Sequence, residues 1–269
     1  MSPSRRSDAG VGITLLPSVH LVGSGAFGIS NPYDCHVYLV SDGGQLTLID
    51  AGVGLEPERI LANVRSLGFD EASIETIFLT HAHADHAGGT RALQRATGAR
   101  VVGSEAELGL LAAGDDAALG LDAARRNGTY PADYRYPHFE GGVALADGQT
   151  FEVGGLQLTA LVVPGHSPGS VCYVLDANGR RVLFAGDTVF SGGFVSVINA
   201  PGSDPAAYRH HLPRLGGLDV DALCSGHQPF CLSRGQAHID LALRRIQLSV
   251  IPNLAVAWLP PPPVKAEGS

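Results

Sequence analysis

The stretch "FLTHAHADHAGG", residues 78–89, places three histidines and an aspartate in six consecutive positions. His81, His83, Asp85 and His86 follow the order H-x-H-x-D-H. Side chains of this kind repel one another when charged and pack poorly, and a bound metal accounts for the crowding. The residues before it, "IETIFLT" (74–80), read as a strand, and those from Gly89 onward read as a helix, so the motif occupies a strand-to-helix turn. In an extended segment residues two apart point the same way, which lets His81 and His83 reach one point together. Asp85 and His86 come where the chain turns, and can aim at a second point nearby. Imidazole and carboxylate ligands suit zinc, with iron or manganese as substitutes.

Further candidate ligands stand in similar settings downstream. His166 lies in "VVPGHSPGS" (162–170), Asp187 in "LFAGDTVF" (183–190) and His227 in "ALCSGHQPF" (222–230). Each follows an apolar run and sits beside a glycine, which allows a sharp turn toward a shared cleft.

The surrounding pattern is α/β. Strand-like runs fall at 35–40, 45–50, 74–80, 100–103, 156–163, 170–175 and 181–186, and helix-like stretches at 56–67, 89–97, 104–126, 204–215 and 234–247. Strands alternating with helices predict helices packed outside sheets. "VSDGGQLTLID" reads as a hairpin turning at Asp42-Gly43-Gly44. Residues 127–141 are aromatic without a period, which reads as a loop rather than core, and as a cover for the metals through Tyr130, Tyr134, Tyr136, His138 and Phe139. Residues 191–204 are a second candidate wall of the substrate pocket.

Composition sets the bounds. The chain has 269 residues, 45% of them hydrophobic, enough for one large domain, placed at 12–250, with a proline-rich tail at 251–269. A formal charge of -8 and the lack of a long basic run argue against a nucleic-acid partner. Four scattered cysteines without a C-x-x-C pair read as reduced thiols of a cytoplasmic protein. The N-terminus is a poor signal peptide and no apolar run approaches the ~20 residues of a membrane span, so no membrane association is expected. The expected partner is a small-molecule substrate, and a homo-oligomer is compatible with the sequence.

Taken in order, "LIDAG" (48–52), "THAHADHAGG" (80–89), "PGHSPGS" (164–170), "GDTVF" (186–190) and "SGHQPF" (225–230) resemble the metallo-β-lactamase superfamily across roughly residues 12–247. The resemblance implies an αββα sandwich of two α/β halves with two zinc ions at its open edge. It implies that His81, His83 and His166 hold one ion, that Asp85, His86 and His227 hold the other, and that Asp187 bridges them. Asp50 would orient a ligand histidine or cap a strand end.

Seven ligands on two metals leave open positions, the mark of a catalytic site. The expected activity is a metal-dependent hydrolase in which a hydroxide held between the ions attacks a small ester, thioester or lactone carbonyl. Asp85 would orient the water or shuttle its proton. "GDTVF" departs from the true β-lactamases and resembles the glyoxalase II branch. Only 42 residues follow His227, which leaves little room for a basic glutathione-binding domain. Phe190 stands where the related lactonases imply a tyrosine. β-Lactam hydrolysis and an iron-dependent redox role are the alternatives.

Overall fold

The computed structural model describes residues 10–248 and 251–253. Two sheets lie face to face. The first has seven strands in chain order: β1 (Ile13–Leu16), β2 (Val19–Gly23), β3 (Val37–Asp42), β4 (Gln45–Ile49), β5 (Ile74–Phe78), β6 (Arg100–Gly103) and β7 (Val143–Ala144). The second has five, ordered β12-β11-β10-β9-β8: β8 (Thr150–Val153), β9 (Leu156–Val162), β10 (Val171–Ala177), β11 (Arg180–Gly186) and β12 (Ala222–Ser225).

Side-chain alternation along the strands builds the layers. On β3, Val37 and Leu39 face outward while Tyr38 and Val40 face the second sheet. On β10, Tyr173 and Leu175 face the first sheet while Cys172 and Val174 face outward. With both faces buried, these strands read as continuous apolar runs rather than alternating ones. Outside the first sheet pack α1 (Pro57–Ser66), α2 (Ala84–Ala87), α3 (Thr90–Thr97), α4 (Glu105–Ala113) and α5 (Leu121–Arg126). Outside the second pack α6 (Pro205–His211) and α7 (Gly235–Gln247). This is the expected αββα sandwich.

The hairpin at 43–44 forms as read. Asp42 pairs with Gln45, and Gly43 and Gly44 both take positive φ, the signature of a two-residue turn that matches strand twist. Three readings change. The 104–126 stretch is two helices, because Gly114 and Gly120 adopt left-handed backbone and end the first before the second begins. β1 and β2 form an antiparallel hairpin that Pro17 had hidden. Residues 127–141 are irregular as expected, yet Tyr130, Tyr134 and Tyr136 belong to the core: all three are buried among Leu111, Leu119 and Leu121. The tail from residue 254 lies outside the described residues. Among those described, no helix is long and apolar enough to cross a membrane.

Strand direction brings several chain turns to one place. β4 and β5 run parallel, as do β11 and β12, and β9 runs with β11 because each is antiparallel to β10. The carboxyl ends of these five strands meet at one edge of the sandwich, where ligands bind in open α/β sheets.

Candidate metal centre

Each predicted ligand follows one of those strand ends. Asp50 follows β4, His81 to His86 follow β5, His166 follows β9, Asp187 follows β11 and His227 follows β12. Tyrosines sew the edge together: the Tyr38 hydroxyl donates to the Ser225 carbonyl at 2.7 Å, and the Tyr173 hydroxyl to the Leu79 carbonyl at 2.8 Å.

The donor atoms converge in groups. Those of His81, His83 and His166 lie within 4.8 Å of one another, as do those of Asp85, His86 and His227. A further group joins His81, His86 and Asp187 within the same span. Asp187 lies between the first two groups: its Oδ1 is 3.4 Å from His86 Nε2, and its Oδ2 is 3.8 Å from His166 Nε2 and 3.6 Å from His227 Nε2.

Three of the ligand histidines have their outer ring nitrogen held by a hydrogen bond, which turns the other nitrogen toward the centre. His166 Nδ1 donates to the Ser196 carbonyl at 2.9 Å, and His86 Nδ1 to Asp50 Oδ2 at 2.8 Å. The Thr80 hydroxyl donates to Asp50, which leaves its oxygen to accept from His81 Nδ1 at 3.0 Å. His81 Nε2 and Asp187 Oδ1 are buried without a hydrogen-bond partner among the described residues. Buried polar atoms are rarely left in that state, and two cations at the centre would satisfy both. The donor set therefore fits a pair of divalent ions.

Asp50 does both things considered for it. It takes a positive φ of 66°, its Oδ1 caps the Thr80 amide at 2.8 Å, and its Oδ2 orients His86. Cys35 shares its pocket with Asp50 and His86 within the same 4.8 Å span. Burial pushes the Cys35 thiol far above its usual range.

Electrostatics divides the two groups. Burial lowers the pKa of His81 and His166, and takes His83 down to about 3. Burial also opposes charge on His86, but the carboxylates of Asp85, Asp50 and Asp187 outweigh it and raise its pKa well above the ordinary value. His227 is raised likewise, by Asp187 and Asp85 against burial. Asp85 and Asp187 stay ionised despite burial: His86 and then His227 hold Asp85 far below the carboxylate range, and His227 and then His86 do so for Asp187.

Three supporting side chains were not legible in sequence. The Tyr130 hydroxyl donates to Asp85 Oδ1 at 2.7 Å. Thr80 joins Asp50 to His81. Glu107, on α4, accepts from the Ala82 amide at 2.8 Å with one oxygen, and from the Ser167 hydroxyl at 2.6 Å and the Gly169 amide at 2.7 Å with the other. It thus clamps the His81–His83 loop to the His166 loop. Tyr134 and Tyr136 donate to the carbonyls of Val53 and Ala82 and do not line the cleft. His138 does not line it either. The start of the loop, Asn127, Thr129 and Tyr130, lines the cleft as expected, while Tyr134, Tyr136, His138 and Phe139 do not.

The profile of the metallo-beta-lactamase superfamily matches residues 30–227. The chain belongs to that superfamily. A superfamily relative, a hydroxyacylglutathione hydrolase of Anaeromyxobacter dehalogenans, is 33% identical over 240 residues, covering 87% of this chain and 78% of its own. The protein of the same name from Albidiferax ferrireducens is 29% identical over 197 residues, and the match spans 72% of this chain and 62% of that protein. Among solved superfamily structures, a metallo-beta-lactamase of Cronobacter sakazakii (a mutant in its HARLDQ motif) superposes with a TM-score of 0.68 at 25% identity, over 88% of this chain and 96% of the other.

Proposed function

We propose that this chain is a zinc-dependent hydrolase of small esters, thioesters or lactones, built around two ions. The observation that carries this reading is the convergence of seven side chains into two groups with Asp187 between them, at the floor of a cleft. When bound, the ions supply Lewis acidity, polarising a carbonyl oxygen and bringing the pKa of water from about 15.7 to about 7.

The rest falls to the protein. His81, His83 and His166 would hold one ion and Asp85, His86 and His227 the other, with Asp187 placed to reach either. Asp50, Thr80 and Ser196 fix which nitrogen of His86, His81 and His166 faces the centre. Asp85 is pinned through Oδ1 by Tyr130, and its Oδ2 lies 2.9 Å from His227 Nε2. Its strongly lowered pKa suits it to orient water as a fixed acceptor more than to store a proton. The relatives named for hydroxyacylglutathione hydrolysis support a thioester substrate, and the β-lactamase likeness makes β-lactams the second class to test.

The test is a hydrolysis panel of thioesters, lactones, aryl esters, phosphodiesters and β-lactams with zinc-loaded protein. Turnover of the first three classes, lost on chelation and restored by Zn²⁺, is the expected result. Metal-stripped protein that keeps full turnover rules the reading out. Asp85→Asn should cost kcat about 10²–10⁴-fold with both ions retained, and near-normal kcat would remove Asp85 from the chemistry.

A further inference from the structure

The cleft above the metal centre has a volume of about 280 Å³, near the small end of the ~300–1,000 Å³ typical of ligand sites. One wall is α5 with its approach, contributing Leu119, Leu121, Ala123 and Ala124. The other is the segment after β11, contributing Ile198 and Ala200. The walls meet where Gly120 packs on Ala200; a Cβ at position 120 would lie 3.0 Å from the Ala200 methyl. Asn127 and Asn199 stand exposed in its lining.

Among the described residues, no Lys or Arg lines this cleft. The lining positions 120, 123, 124 and 127 recur at helical spacing, which leaves Arg125 and Arg126 on other faces of α5. Arg125 is already engaged, with Asp116 at 2.6 Å and the Tyr134 carbonyl at 2.9 Å. Asp85 and Asp187 line the cleft as candidate metal ligands, and away from them the lining holds no cation to offset the chain's formal charge of -8. Nothing there draws in an anionic leaving arm.

Resting on the hydrolase reading above, we infer that the cleft takes the acyl ester or thioester of an uncharged alcohol or thiol. The apolar walls hold a short alkyl chain. Asn199 offers an amide donor and acceptor and Asn127 an amide donor, its Oδ1 already accepting from the Thr129 amide and hydroxyl; these match neutral amide groups on the leaving arm, and no side chain in the lining pairs with a carboxylate there.

Binding and turnover separate this inference from the reaction it rests on. Two thioethers that cannot be hydrolysed, S-hexyl-N-acetylcysteamine and S-hexylglutathione, are titrated calorimetrically into zinc-loaded protein. The neutral compound should bind about tenfold tighter or more, and shortening its chain from hexyl to butyl should weaken binding by about fourfold per methylene. Ala123→Arg should narrow the gap by strengthening S-hexylglutathione. Equal or tighter binding of S-hexylglutathione to the unaltered protein, or no dependence on chain length, overturns the inference. The matching hexanoyl thioesters are then assayed for hydrolysis. If the neutral thioether binds as expected but neither thioester, nor an ester or lactone, is cleaved, the reaction assignment fails while the specificity of the cleft stands.

Discussion

Gly226 has no side chain because there is no space for one. A Cβ there would lie 2.4 Å from His86 Cε1 and 2.6 Å from Asp187 Oδ1. The glycine lets the end of β12 approach both side chains, and His227 follows it into the centre. Gly226→Ala should therefore displace His86 and Asp187 and weaken both ions, most of all the one at Asp85, His86 and His227. Equilibrium dialysis with Zn²⁺ should show that ion weakened more; two ions at unchanged affinity would contradict the geometry. Protonation gives a second residue-scale prediction. Metal ligands must be deprotonated, so protons compete hardest where the histidine pKa is highest. His86 and His227 are raised and His81, His83 and His166 are lowered. As pH falls from about 8 to about 5, the ion at Asp85, His86 and His227 should leave first, followed at lower pH by the one at His81, His83 and His166. Metal analysis at stepped pH checks the order, and the reverse order would show that the division of ligands is wrong.

At the scale of elements, α4 works as a bracket. Ser104 caps it by accepting from the Glu107 amide, and its hydroxyl donates to the Gly169 carbonyl at 2.7 Å. Glu107 then reaches both ligand loops with its two oxygens. Glu107→Ala would leave the Ala82 and Gly169 amides and the Ser167 hydroxyl without this acceptor, and each buried unsatisfied group costs about 1–3 kcal/mol. The Ser167 hydroxyl keeps Ser170 as a partner, so the two amides set the expected loss at about 2–6 kcal/mol in stability. Glu107→Gln, which keeps one acceptor oxygen, should lose less. A fold-only role would lower stability and leave the affinities alone. The bracket predicts instead that the ion at His81, His83 and His166 weakens more than the other, in the Gln variant as well. Titration with Co²⁺, following the two sites by absorbance, distinguishes these outcomes.

For the whole molecule, the metal centre ties the two sheets together. His81, His83, Asp85 and His86 follow the first sheet, while His166, Asp187 and His227 follow the second. Ions bound across that edge should stabilise the sandwich. Occupancy at about 100 times Kd contributes about 2.7 kcal/mol per ion, and for a chain of this size about 1 kcal/mol moves Tm by about 2–4 °C. Zn²⁺ filling both sites should raise Tm by about 10–20 °C over chelated protein, read by calorimetry. An unchanged Tm would mean that the cluster does not hold ions across the sheets.

The sequence by itself determined the layers and named the side chains that converge at the centre. Continuous apolar strands such as "VYLV" need cover on both faces, and H-x-H-x-D-H has few uses other than metal binding, so both are written in local pattern. It also marked the glycines beside Asp187 and His227, because a chain that must turn sharply or come close needs one. Only the tertiary structure decided what stands behind and above the centre. Tyr130 and Asp85 are 45 residues apart, and Glu107 and Gly169 are 62 apart. Nothing in the spacing of Tyr130, Tyr134 and Tyr136 says that their hydroxyls satisfy a carboxylate and two backbone carbonyls from within the core. The cleft is decided the same way: Leu121 and Ile198 carry no chemistry of their own, and become walls only because the ends of two sheets bring α5 and the segment after β11 to one edge.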